Sequence, residues 1–231
     1  MSGHFVAVTC EHASNAVPPS LHGRFASADA RAALASHRGW DIGVRPVYRA
    51  LARGADFSRA GTVSRLVIDL NRSLHHRSVF SEFTRPLPPK DREQIVSRYY
   101  QPYREAVGAS IAGAIQEGRH VVHLSVHTFT PVLHGAERKI DIAVLYDPSR
   151  PGEAALAGRW LAALRPSGLR LRRNAPYRGT ADGFVTTLRR NLPDDSYLGL
   201  ELEVNQDLAG RPVATLVAAA WNSLVGQGLS R

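Results

Sequence analysis

Phe5-Val6-Ala7-Val8-Thr9-Cys10-Glu11-His12 and, more than a hundred residues later, His120-Val121-Val122-His123-Leu124-Ser125-Val126-His127 are two apolar runs that each finish on a histidine. Runs of this length bounded by turn residues suit strands buried on both faces, and in open α/β sheets the ends of such strands gather ligand sites. Neutral imidazole is also the commonest metal ligand. The pair therefore predicts an α/β sheet and, with suitably placed carboxylates elsewhere, a hydrolytic metal site.

Around these two runs the chain alternates. Further strands are predicted near 65–70, 140–146 and 198–204, and helical spacing of Ala, Leu and Arg falls at 28–37, 43–53, 90–117, 151–165 and 209–226. Such alternation favours a mostly parallel sheet with helices on both faces. At 231 residues one large domain over 1–231 is expected. The stretch from Ser73 to Lys90 reads as a long irregular connection, either a lid or a surface excursion. With no leader pattern and no apolar run near the ~20 residues of a membrane helix, a cytoplasmic protein without a membrane partner is expected.

Composition narrows the chemistry. The lone Cys10 supplies neither an internal disulfide nor a thiolate cluster, so any metal needs His and carboxylate ligands. The net charge of +9 invites a nucleic-acid reading. Against it, the cations are almost all arginine and dispersed along the chain. The densest patch, Arg165 with Arg170, Arg172 and Arg173, reads as a solvated face, with no stacking platform of aromatics beside it.

Three more segments offer side chains to a site. Asp41, in Gly39-Trp40-Asp41-Ile42-Gly43, stands at a predicted helix start, where it can cap the helix or face its dipole. Ser64-Arg65-Leu66-Val67-Ile68-Asp69-Leu70-Asn71-Arg72 ends an apolar run on Asp, Asn and Arg, and a guanidinium beside an amide suits bidentate recognition of a carboxylate. Glu201 and Glu203 lie two apart on a predicted strand and share a face. Burying both there is costly unless they meet cations, a metal or a cleft. His123, by contrast, reads as a satisfied core histidine.

Taken in order, Cys10-Glu11-His12-Ala13-Ser14-Asn15, Trp40-Asp41-Ile42-Gly43, the 64–72 segment, His127-Thr128-Phe129-Thr130-Pro131 and Glu201-Leu202-Glu203 resemble the blocks of the N-formylglutamate amidohydrolase family. The resemblance spans nearly the whole chain and implies a three-layer, phosphorylase/hydrolase-like α/β/α fold related to zinc carboxypeptidases and aspartoacylases. It also implies cleavage of the N-acyl amide of an acidic amino acid, a small-molecule substrate, and one zinc ion per chain. On that resemblance His12 and His127 match zinc ligands, Asn71 and Arg72 match the pair that grips a substrate carboxylate, Arg65 matches a carbonyl-polarising arginine, and Glu203 matches the base, with Glu201 beside it as the alternative. Relatives with a His-x-x-Glu motif take the third ligand from that Glu. Here the position is Asn15, so Asp41 is assigned as the third ligand ahead of Glu11. Tyr177, Arg178 and Asp182 fall where the family has a substrate-side loop. Two other functions stay open: an amidase acting on another N-acyl amino acid or a cell-wall fragment, and a basic binding protein without catalysis.

Overall fold

A computed structural model of the chain describes residues 4–226. Residues 1–3 and 227–231 of the expected 1–231 domain lie outside the described residues. Among the described residues the strands are β1 (Phe5–Cys10), β2 (Phe57–Ala60), β3 (Val121–Phe129), β4 (Val132–Leu133), β5 (Ala136–Glu137), β6 (Ile142–Leu145), β7 (Leu171–Arg173) and β8 (Tyr197–Asn205). The helices are α1 (Ala28–Ala35), α2 (Val44–Ala52), α3 (Pro89–Ile95), α4 (Gln101–Gln116), α5 (Pro151–Leu164), α6 (Phe184–Arg189) and α7 (Arg211–Gly226). Six strands form one sheet in the order β2-β1-β3-β8-β6-β7, and β4 and β5 make a separate hairpin. β2, β1, β3 and β8 run parallel, while β6 is antiparallel to β8 and parallel to β7. The expected mostly parallel, mixed α/β sheet is what the chain forms.

The two faces of the sheet differ in chemistry. Val6 and Val8 of β1, Val122, Leu124 and Val126 of β3, and Leu200, Leu202 and Val204 of β8 pack against α2, α5 and α7, where the tilted rings of Trp160 and Trp221 meet with centroids 4.7 Å apart. The alternate residues face α4, α6 and the 61–70 turns, and near the carboxyl ends of the strands they are polar: Thr9, His123, Ser125, His127, Glu201 and Glu203, all buried. Period-2 alternation thus separates an apolar core from a buried polar floor.

Three expectations need correction. Residues 65–70 form no strand; they run through buried turns. Ser64 Oγ–H donates to the Gly39 carbonyl, its oxygen accepts the Leu66 N–H, and the Asp69 carboxylate accepts the Asn71 N–H. These side chains satisfy backbone groups locally and so compete with a ladder, while Leu66, Val67, Ile68 and Leu70 are buried all the same. The place beside β1 goes to β2, a short polar edge strand that apolarity does not reveal. Second, the helix expected over 90–117 is interrupted by a π turn at Val96–Tyr100 between α3 and α4. Third, β7 and α6 were not anticipated, being three and six residues long.

The 73–90 connection is packed rather than loose. Val79 accepts the Asp69 N–H through its carbonyl, and Ser81 and Thr84 donate to the carbonyls of Leu66 and Val67 at 2.5 and 3.0 Å. Within the basic patch, Arg170 is held bidentate by Asp141. Among the described residues no helix is long and apolar enough to cross a membrane.

Candidate active site

The carboxyl ends of β1, β3 and β8 open into a cavity of about 360 Å³ whose lining includes His12, Asp41, Arg65, Asn71, Arg72, His127 and Glu203. All seven residues singled out in the sequence therefore meet, although they come from five separate segments. Glu201 and Asp182 line the same cavity, as do Tyr177 and Arg178. Asn15 does not: it is exposed and donates to the Leu34 carbonyl at 3.4 Å.

Local structure explains how each ligand candidate is aimed. His12 lies two residues past β1, and its carbonyl accepts the Asp41 N–H at 3.0 Å, which ties the second segment to the strand end. Gly43, with φ of 79°, turns the chain into α2 and occupies the cap position, a conformation that a residue without Cβ adopts at little cost. Asp41 is thereby released from capping, and its carboxylate faces the histidines. Ligand atoms of His12, Asp41 and His127 lie within 4.8 Å of one another, and all three residues are buried.

Hydrogen bonds set the ring orientations. His12 Nε2 is 2.7 Å from Asp69 Oδ1, and its Nδ1 is 3.6 Å from Asp41 Oδ2. His127 Nδ1 is 3.0 Å from Asp41 Oδ2, while its Nε2 lies 2.9 Å from Ser125 Oγ and 3.3 Å from Glu11 Oε2. Ser125 gives its own proton to Glu11 at 2.5 Å, and Tyr103 donates to the other Glu11 oxygen at 3.0 Å. The network thus assigns the His127 hydrogen to Nε2. Nδ1 and the Asp41 carboxylate then confront each other as acceptors, which only a proton or a cation between them can join. Each imidazole turns one nitrogen to Asp41 and the other to a buried carboxylate, the arrangement that fixes tautomer and basicity in metal-binding histidines.

The electrostatics point the same way. Burial raises the Asp41, Asp69 and Glu11 carboxyls, but the histidines outweigh it, with Arg65 adding its charge at the two aspartates, and all three are held well below the usual carboxylate range. Glu203 goes the other way. Burial pushes it up to about 8, with Asp41 and Glu201 raising it further against the pull of His127 and Arg65. Its Oε2 is a buried atom without a hydrogen-bond partner. An orphaned oxygen stands at the edge of this cluster, and the two imidazoles with Asp41 are a donor set that fits a divalent ion such as zinc.

Arg65 Nη2 lies 2.8 Å from His12 Nδ1 and 3.0 Å from its Nε2, and Nη1–H donates to Asp41 Oδ1 at 3.2 Å, so the guanidinium spans the cluster. Asn71 and Arg72 are braced against the opposite wall: Asn71 Oδ1 accepts the Phe184 N–H at 2.7 Å and Arg72 Nη1–H donates to the Asp182 carbonyl at 2.5 Å. Sequence reasoning left Asp69 and Ser125 out of the site and weighed Glu11 as a ligand rather than as the group behind His127. Ser125 had a usable signal, since it sits two residues before His127 on one strand face. Tyr103 had none, because a helix 92 residues away delivers it to Glu11.

Residues 5–209 match the family described as N-formylglutamate amidohydrolase. A crystal structure of a gene product from Agrobacterium tumefaciens is 31% identical, with a TM-score of 0.81 over 98% of this chain and 90% of that one. The structure of N-formylglutamate amidohydrolase from Ralstonia eutropha JMP134 superposes with a TM-score of 0.70 at 17% identity, over 99% of this chain and 94% of that one. No curated protein matches the chain. A family match over most of the sequence, together with a relative of this identity and coverage, places the protein: it belongs to the N-formylglutamate amidohydrolase family.

Proposed function

We propose that the protein is a zinc-dependent amidohydrolase that cleaves the N-acyl amide of an acidic amino acid such as N-formylglutamate. The observation that carries this reading is the buried His12–Asp41–His127 cluster facing the unpartnered Glu203 oxygen across one cavity with Asn71 and Arg72.

His12 and His127 through Nδ1, and Asp41 through its carboxylate, would hold the ion, which supplies Lewis acidity to the scissile carbonyl and to the attacking water. Asp69 and the Glu11–Ser125 pair keep the two rings in register from behind. Arg72 and Asn71 take the substrate carboxylate next to the amide, fixing the acyl carbon for attack, so that positioning lowers the barrier. Glu203 accepts a proton from the water as its oxygen bonds to the acyl carbon. The same carboxyl then delivers that proton to the amide nitrogen as the C–N bond breaks, leaving a carboxylic acid and a free amino group. Arg65, already beside His12 and Asp41, adds positive charge where the carbonyl oxygen becomes anionic.

Metal content by elemental analysis, on the purified protein and on His12→Ala and His127→Ala, tests the reading together with hydrolysis of N-formyl-L-glutamate. One equivalent of zinc that both variants lose, accompanied by amide cleavage, is the expected result. A folded wild-type protein that takes up no zinc when it is supplied overturns the metal assignment.

A further inference from the structure

Three arginines line the cavity, and they are not equivalent. Arg65 is spent on Asp41 and Asp69, and Arg72 donates to the Asp182 carbonyl. Arg178 has an exposed side chain that makes no ion pair or hydrogen bond among the described residues.

The backbone beneath Arg178 is nonetheless rigidly held. Its carbonyl accepts the Ala181 N–H at 3.0 Å. Asn174 Oδ1 accepts the N–H groups of both Tyr146 and Gly179, at 3.0 and 3.1 Å, and the Gly179 carbonyl accepts a hydrogen bond from Arg189 Nη1–H at 2.5 Å. A Cβ on Gly179 would stand 2.3 Å from the Tyr146 backbone, so only glycine lets the loop lie flush there. On the other side, Tyr177 is clasped by Arg138, whose Nη1 donates to the phenol at 3.1 Å with the guanidinium 5.2 Å over the ring.

The same loop is bolted to the Asn71–Arg72 turn. Ser73 donates through N–H and Oγ–H to the Asp182 carboxylate at 3.0 and 2.7 Å, and Phe184 N–H reaches Asn71 Oδ1. Arg178 and the Asn71–Arg72 pair are therefore carried on one wall, and the backbone positions from which the two arginines project are held in fixed relation. A ligand with one carboxylate has use for only one of them. With a second carboxylate and no second cation, a ligand would meet Asp182, Glu201 and Glu203 unopposed.

We propose that Arg178 is the residue that selects acidic substrates, pairing with the side-chain carboxylate of an N-acyl amino acid whose first carboxylate is held by Asn71 and Arg72. This rests on the amidohydrolase reading above. A cation carried on a braced loop binds that anion without the cost of ordering the backbone beneath it, leaving only its own side-chain rotamers to be fixed, and its planar fork matches the carboxylate.

The test compares kcat/KM for N-formyl-L-glutamate with that for N-formyl-L-glutamine, which differ only in the charge of the distal group, in the zinc-loaded full chain. The wild type favours the glutamate derivative, and Arg178→Gln lowers the glutamate-to-glutamine ratio by about 10- to 100-fold, mostly through KM, the range of one charge-assisted hydrogen bond. Arg178→Lys recovers part of the ratio, since the charge returns without the fork. A ratio unchanged in Arg178→Gln, with hydrolysis of both compounds retained, overturns the assignment of Arg178 and leaves the amidohydrolase standing. Failure of the loaded wild type to cleave either compound overturns the amidohydrolase reading, and this inference falls with it.

Discussion

β1, β3 and β8 present two faces that are buried to the same degree and built for opposite ends. One carries Val8, Leu124 and Leu202 into the helices; the other carries Thr9, Ser125 and Glu203 under α4 and toward the cavity. Apolar burial stabilises at roughly 25 cal/mol per Å², whereas a buried polar group stabilises only when its partners are in place. The polar face meets that condition almost everywhere: His123 sits between Thr9 Oγ1 at 2.9 Å and the Tyr197 hydroxyl at 2.8 Å, and Glu11 between Ser125 and Tyr103. It fails at Glu203. The lesson is that the polar face of these strands leaves a buried carboxyl oxygen unsatisfied at the spot where chemistry is proposed.

Substitutions on the two faces should therefore separate activity from stability. The largest effect is expected for Glu203→Gln, which should lower kcat by about 10²- to 10⁴-fold while zinc content and thermal midpoint hold; retained turnover would shift the role of base to Glu201. On the apolar face, Leu124→Ala should cost about 2–5 kcal/mol in denaturant unfolding without changing kcat in the folded fraction.

Acid unfolding probes the polar face away from the cluster. Burial holds the His123 imidazole down to about 4 against an ordinary value of 6.5, with Glu11 pulling it up and Arg189 pushing it down. The unfolded chain accepts a proton that the folded one refuses. Stability attributable to this group is therefore constant above pH 6.5, falls as pH drops from 6.5 to 4, and levels off below. The full difference is on the order of 3 kcal/mol. His123→Asn should flatten that part of the stability–pH curve, and an unchanged slope would mean the imidazole is not shielded. The smallest effect is expected for Ser125→Ala, about 1–3 kcal/mol of stability with zinc affinity reduced by about 10- to 100-fold, measured by chelator competition. If affinity stayed constant, Glu11 would be orienting His127 without the serine.

Legibility followed the same division. β1, β3 and β8 were readable because strands buried on both sides leave long apolar runs, and the acidic pair Glu201 and Glu203 stood out against such a run. The 65–70 segment misled for a related reason: Leu66, Val67 and Ile68 report burial, and burial in turns looks like burial in a strand until Ser64 and Asp69 are seen satisfying the backbone. β2, with the sequence Phe57-Ser58-Arg59-Ala60, is an edge strand and carries no such run. That His12, His127, Arg72 and Glu203 line one cavity could be expected from sequence because block order and residue chemistry coincide there. Asp69 and Tyr103 reach His12 and Glu11 only in the assembled fold, so no run or block of sequence marks them.

The position of β8 has a consequence for how the chain is made. It is the last strand of the described residues to emerge in synthesis, yet it lies in the interior of the sheet between β3 and β6. Until Tyr197–Asn205 are available, β1-β2-β3 and the β6-β7 pair exist as two separate pieces, and β3 shows an unpaired edge. Open edges of this kind are templates for intermolecular pairing. The strand that completes the proposed catalytic apparatus is thus also the one that closes this window, so a chain that stalls or is truncated before it lacks Glu203 and leaves its stickiest edge uncovered.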